Sequence, residues 1–195
     1  INKSINFTIK RFTELFGIIL SLGAILFLLS LISYSPEDPN FIFPKNTEIK
    51  NILGFQGSYI SDLFIQSVGL IAYLIPITFI FTGINIFKKK EIFLLIENTF
   101  FATIYILIGS FFFSFYYKDI FILYINGSGG FVGNYFNASF LKSLILPYEK
   151  IFYYFFILLI ITFFSISVNF YYKNFIQILK KIIQLISKKN PKIYT

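Results

Sequence analysis

The chain has 195 residues, of which 56% are hydrophobic, 22% aromatic and only 13% charged, and its mean hydropathy is +0.75. A water-soluble domain of this length cannot hide so much apolar surface, which places the chain among polytopic membrane proteins. It has no cysteine and no histidine, which excludes disulfides, thiol chemistry, ordinary zinc sites and histidine acid–base catalysis.

Crossing ~30 Å of hydrocarbon at 1.5 Å per residue takes about 20 apolar residues. Four stretches qualify, which predicts an all-α integral membrane fold. After a basic N-terminal segment, 1–14, the first span is Leu15–Ser33. No small-x-small cleavage site follows its long apolar stretch, so it reads as retained. Gly17, Ser21, Gly23 and Ala24 give it a thin face for close helix approach. Ser35-Pro36 and Asp38-Pro39 then stop the helix abruptly, because the residue before each proline is pushed out of the α region.

The second span is Leu63–Phe87. Asp62 sits at its start, where a carboxylate complements the helix N-terminus by about 0.3–1 kcal/mol. Capping is the plainer role for Asp62 and ligand binding the sharper one. Pro76 removes a backbone hydrogen bond within the span and predicts a kink there. Gly69, Ala72 and Gly83 mark a second thin face. The tight turn Lys88–Lys90 leads to the third span, Ile92–Tyr117.

Glu97, five residues into that span, is the one carboxylate inside the four spans. It reads either as a proton-relay or ion site, or as a side chain ~8 Å from the span's end that reaches the interface beside the lysines. Residues 136–146 (FNASFLKSLIL) precede Pro147 and are too short to cross, which predicts a short outer interfacial helix. Ile151–Tyr172 is the fourth span, followed without a break by the tail 173–195.

In the tail, Phe175, Ile178, Leu179, Ile182, Leu185 and Ile186 recur at helical spacing. Lys180, Lys181, Lys188 and Lys189 are placed to meet anionic lipid headgroups, at about 1 kcal/mol per well-placed lysine. Nucleic-acid binding is the weaker alternative, because the patch is small, lacks arginine and has lipid as a competitor.

The lysines also set the orientation. Segments 1–14, 88–91 and 173–195 hold 12 Lys and Arg in 41 positions, against five in the 62 positions of loops 34–62 and 118–150. The positive-inside rule puts both termini in the cytoplasm.

The glycine-rich stretch GSGGFVGNYF, 127–136, invites a nucleotide reading. It has no lysine for a P-loop, and Val132 stands where a dinucleotide fingerprint needs its third glycine. GFQGSYISDLF at 54–64 matches GFVGNYFNASF at 130–140 in five positions, at a constant offset of 76 residues. The chain therefore reads as two parallel repeated hairpins, in which glycine allows positive φ and close backbone approach.

Three stretches, LISYSPEDPNF (31–41), NILGFQGSYISDLFIQSVGLIAYLIP (51–76) and GSGGFVGNYF, stand in this order. Together they resemble the four-span N-terminal membrane domain of FtsK-type DNA translocases. The likeness covers roughly residues 12–172, and the membrane region itself reads as 15–172. The family's loop signature falls on Ser33, Tyr34, Ser35, Pro36, Asp38 and Pro39, and its glycine and acidic positions on Gly54, Gly57, Asp62, Gly129, Gly130 and Gly133.

The resemblance implies structural and assembly roles for these residues, with no catalytic, cofactor or metal site. It also implies an inner-membrane anchor at the division septum, in contact with other division proteins and tethering a cytoplasmic hexameric ATPase. A homo-oligomer, as a hexamer imposed by the motor's symmetry, follows from the same likeness. DNA would be met only through the motor, and no Walker motif occurs here, so the expectation is an excised or split anchor that is not itself an enzyme. A small transporter or channel subunit using Glu97 is the alternative, and a lipid-modifying enzyme a third class without a recognisable catalytic pair.

Overall fold

A computed structural model describes residues 2–39, 48–118, 125–139 and 141–170. The described residues are helical, with no strands. Helix α1 is Asn2–Ile32 and α2 is Gly54–Val68; a 3-10 turn, Gly69–Tyr73, joins α2 to α3, Leu74–Lys89. Helix α4 is Phe93–Tyr116, and the short α5 (Gly130–Asn137) and α6 (Leu141–Ile145) follow. A second 3-10 turn, Leu146–Tyr148, enters α7, Glu149–Ser167. Four stretches are long and apolar enough to cross a membrane: Asn6–Ile32, Gly54–Lys89, Phe93–Tyr116 and Lys142–Ser167.

Helix α1 runs along α3, and α4 along α7, while α3 and α4 join the two pairs. Lipid offers no hydrophobic drive for this association, so packing and interhelical hydrogen bonds must hold it. The first pair is zipped by small residues. A Cβ on Gly17 would sit 2.6 Å from the carbonyl oxygen of Gly83, and the Ser21 hydroxyl donates to the Ile80 carbonyl at 3.1 Å. Ala24 is buried on the same helix, but Gly23 faces open space.

The second pair is held apart by rings: Tyr105 meets Phe164 edge-on at 5.7 Å, and Phe111 meets Phe156 edge-on at 5.5 Å. Such pairs contribute about 0.5–1.5 kcal/mol each beyond the area they bury. Leu31, Ile65, Ala72 and Ile75 form one core cluster, and Ile71, Ala102 and Tyr105 the other, so the 3-10 turn feeds both.

Three expectations need correction. The second span is not kinked at Pro76. It breaks at Gly69, whose φ of 75° and ψ of −149° are open only to glycine. Pro76 is the third residue of α3, in the first turn, where an N–H has little need of a helical acceptor.

The fourth helix ends at Ser167, short of Tyr172, and does not run unbroken into the tail. Asn169 takes a left-handed φ of 54°, the Phe170 N–H bonds the Ser165 carbonyl and the Asn169 N–H bonds that of Ile166, both at 2.9 Å. That is a left-handed helix cap with asparagine in glycine's usual place. Finally, residues 136–146 are not one interfacial helix, since α5 ends at Asn137 and α6 starts at Leu141. The tail lysines Lys180, Lys181, Lys188 and Lys189 lie outside the described residues.

Candidate functional site: two polar seams in an apolar bundle

The bundle has a loop end, where the described residues 33–39, 48–53, 117–118 and 125–129 lie, and a turn end at Lys88–Lys90. Residues of the first loop signature gather at the loop end. The Asp38 carboxylate is buried and accepts two backbone N–H groups, from Lys50 on Oδ1 and from Asn51 on Oδ2, both at 2.9 Å. Charged acceptors make such bonds about twice as strong as neutral ones. Pro39 offers its carbonyl to the Ser58 hydroxyl at 2.6 Å, whereas Pro36 is exposed. An ion pair joins Lys50 to Glu37 on the surface, and the carboxylate beside it holds the Lys50 ammonium above its ordinary range.

Asn51 is the hub of this corner. Its Nδ2 donates to the Ser30 carbonyl at 2.9 Å and its Oδ1 accepts the Leu53 N–H at 3.1 Å. Gly57 lies under it, where a Cβ would sit 2.6 Å from Cβ of Leu53 and overlap the Asn51 amide. The Ser30 hydroxyl donates to the Gly57 carbonyl at 2.6 Å. Gly54 opens α2 with a φ of 66°, and Gly130 opens α5 with a φ of 65°.

Asp62 does not cap the second span. It lies within α2, buried, where its Oδ1 accepts the Tyr34 hydroxyl at 2.9 Å and the Gln66 amide at 3.4 Å. Gln66 then reaches into the second loop: its Oε1 accepts the Asn126 N–H, and its backbone carbonyl accepts the Asn126 Nδ2, both at 3.2 Å. The chain Tyr34–Asp62–Gln66–Asn126 therefore joins the two loop motifs.

The glycine-rich stretch is a backbone-to-backbone seam. Around the break at Gly69, the Leu70 N–H donates to the Ser128 carbonyl and the Ser110 hydroxyl donates to the Val68 carbonyl, both at 2.9 Å. These bonds satisfy groups that the break withdraws from the helix ladder. Side chains at Gly69 or Gly130 would collide with the facing backbone: a Cβ on Gly69 would come 2.6 Å from the Gly129 carbonyl carbon, and one on Gly130 2.7 Å from the Ser67 oxygen. Gly129 and Gly133 lie against Ser110 and Ser114 of α4 in the same way. The Ser114 hydroxyl donates to Asn134 Oδ1 at 2.7 Å, and Asn134 Nδ2 to the Asn126 carbonyl at 2.7 Å. This stretch is filled by its own chain.

A second seam, at the turn end, carries no sequence motif. Thr78, buried on α3, bonds the Tyr105 hydroxyl of α4 at 2.9 Å and the Ser167 hydroxyl of α7 at 3.2 Å. One turn on, Asn98 donates to the Thr82 hydroxyl at 2.9 Å and accepts the Asn169 amide. Glu14 on α1 pairs with Lys90 at 2.7 Å and with Arg11 at 2.6 Å. Glu97 is exposed beside this seam, with no ion pair among the described residues. Among the described residues no group of three acidic, His or Cys side chains is placed to hold a metal.

Sequence reasoning singled out the glycines and the two aspartates but passed over Gln66, Ser110, Ser114, Asn126 and Asn98. For all but Asn126, which lies in a loop, the signal was present: a polar side chain inside an apolar span is costly unless a partner faces it.

The family described as "4TM region of DNA translocase FtsK/SpoIIIE" matches residues 9–179. The chain is 32% identical over 74 residues to a protein named DNA translocase FtsK of Rickettsia bellii, covering 38% of this chain and 10% of that protein. It is 30% identical over 88 residues to the protein of that name in Azospirillum brasilense, covering 44% and 14%, and 37% identical over 65 residues to that of Shewanella oneidensis, covering 33% and 7%. The matched stretches are thus at most about one seventh of these relatives' lengths. No solved structure matches the chain.

Proposed function

Since the chain belongs to the family of the 4TM region of DNA translocases FtsK/SpoIIIE, we propose that it is the membrane-anchoring and oligomerisation domain of a cell-division DNA translocase. It is a multi-pass membrane domain, and its match is to the membrane region and not to an ATPase motor. In this reading both termini are cytoplasmic, the domain sits in the inner membrane at the septum, and it tethers a motor that acts on DNA. It also contacts other division proteins and assembles with copies of itself, as a hexamer when the motor imposes that symmetry. The tail lysines Lys180, Lys181, Lys188 and Lys189 rest on anionic headgroups.

One observation carries this reading: the family match runs over residues 9–179, through all four long apolar stretches. The loop-end seam supports it, because a rigid bundle with its loops stitched together suits an anchor better than a gated pathway. The test is a fluorescent-protein fusion after Thr195 in dividing cells, with reporter fusions at both termini. Fluorescence at midcell with both termini cytoplasmic is expected. Uniform membrane signal, or a terminus on the far side, overturns it. Native mass analysis in nanodiscs of the full-length protein is expected to give oligomers, and monomer alone counts against the assembly role.

A further inference from the structure

Along α7, Lys150, Tyr154, Ile157 and Ile161 recur at i, i+4, i+7 and i+11, one stripe of the helix. At the loop end this stripe borders a hollow of about 430 Å³ lined by Tyr116, Glu149, Lys150, Tyr153 and Tyr154. Further into the bundle it walls an apolar groove of about 260 Å³, with Ile160 beside it. Phe112 and Phe113 of α4, with Leu70 and Leu74 from the break, close the other side. Phe112 lies one turn below Tyr116 on α4, so the two hollows share both helices and follow one another along the bundle.

We propose that this channel is a binding site for one phospholipid with an ethanolamine headgroup. The phosphate sits on Lys150, the ammonium on Glu149, and one acyl chain runs down the groove. The ordering of the lining selects an amphiphile aligned with the bilayer. Lys150 to Ile161 spans about 16 Å of helix, close to half of the ~30 Å hydrocarbon thickness and hence to one leaflet. The tyrosines around the charged hollow are the residues expected where hydrocarbon meets headgroups.

The headgroup follows from charge. The hollow presents one cation and one anion, both exposed and neither in an ion pair among the described residues. A zwitterion complements both. A glycerol headgroup offers Glu149 hydroxyls but no cation, and a choline headgroup has no N–H to donate to it. A helix from a second copy would have to bury Lys150 and Glu149 as ion pairs with their counterparts, and the desolvation of such pairs can exceed what the pairing returns. The groove below holds no polar side chain except the Tyr73 phenol, whose hydroxyl is already donated to the Leu31 carbonyl at 3.1 Å.

The chain is purified, stripped of lipid in detergent and mixed with equal concentrations of palmitoyl-oleoyl phosphatidylethanolamine, phosphatidylglycerol and phosphatidylcholine, and lipid retention is read by native mass spectrometry. One phosphatidylethanolamine per protomer is expected, bound in about tenfold excess over each of the other two, which corresponds to about 1.4 kcal/mol. Lys150→Gln and Glu149→Gln, both at exposed positions, are expected to abolish that preference. Ile161→Trp fills the groove and is expected to lower retention of all three lipids, while Phe155→Trp, on the opposite side of α7, leaves it unchanged. Equal retention of the three lipids overturns the proposal. So does a preference that survives both headgroup variants, or an Ile161→Trp effect limited to turning dimers into monomers.

Discussion

The two polar seams solve the same problem with different parts. At the loop end, beside the Tyr34–Asp62–Gln66 side-chain links, the contacts run to backbone: Gly69 against Ser128 and Gly129, Gly130 against Ser67, and Asp38 on two N–H groups. At the turn end, side chain meets side chain: Thr78 with Tyr105 and Ser167, and Asn98 with Thr82 and Asn169. A backbone contact leaves its residue little choice, because a Cβ has nowhere to go and a carboxylate is needed to serve two donors. A side-chain contact can be rebuilt by another polar pair. The first seam is therefore written as a motif, and the second is spelled in ordinary threonine and asparagine.

Substitutions can break this contrast. Gly69→Ala is expected to cost the most, about 3 kcal/mol or more, since it adds a strained φ to a collision with backbone. The chain has no tryptophan, so thermal unfolding in detergent is best followed by circular dichroism. Asp38→Ala leaves the buried Asn51 N–H and the part-buried Lys50 N–H without an acceptor, and is expected to cost about 1–3 kcal/mol by the same measurement. A loss no larger than that of an exposed-site control such as Pro36→Ala would remove Asp38 from the seam.

Asn98→Ala removes both of its partners' bonds at the turn end. Interhelical hydrogen bonds in membranes average about 0.6 kcal/mol and reach about 1.7, so a loss of about 1–2 kcal/mol is expected. A double-mutant cycle with Thr82→Val tests whether the two residues couple. At the small end is Gly23→Ala. Nothing lies within 4 Å of the added methyl, so the change is expected to be neutral or stabilising by up to about 1 kcal/mol. A large loss there would show that Gly23 faces another helix in the assembled protein.

Much of this was legible in the sequence. The four spans were visible because about 20 consecutive apolar residues leave few other readings, and the glycine-rich stretch was excluded as a nucleotide site because it lacks a lysine. Pro76 misled because proline is costly only inside a helix, and its position depends on where the helix begins. Asp62 misled for the same reason: a span read as starting at Leu63 begins, as a helix, at Gly54, which turns a presumed cap into a buried acceptor.

Composition, span length and motif order determined the class of molecule, its four long apolar helices and its family, because each depends on local chemistry summed along the chain. Tertiary structure decided that Gly69 is the break, that Gln66 bridges the loops through Asn126, and that Asn169 closes α7 against Asn98. Those are meetings of residues 60 and 71 positions apart in the last two cases, and no local pattern specifies which distant donor a polar side chain will find.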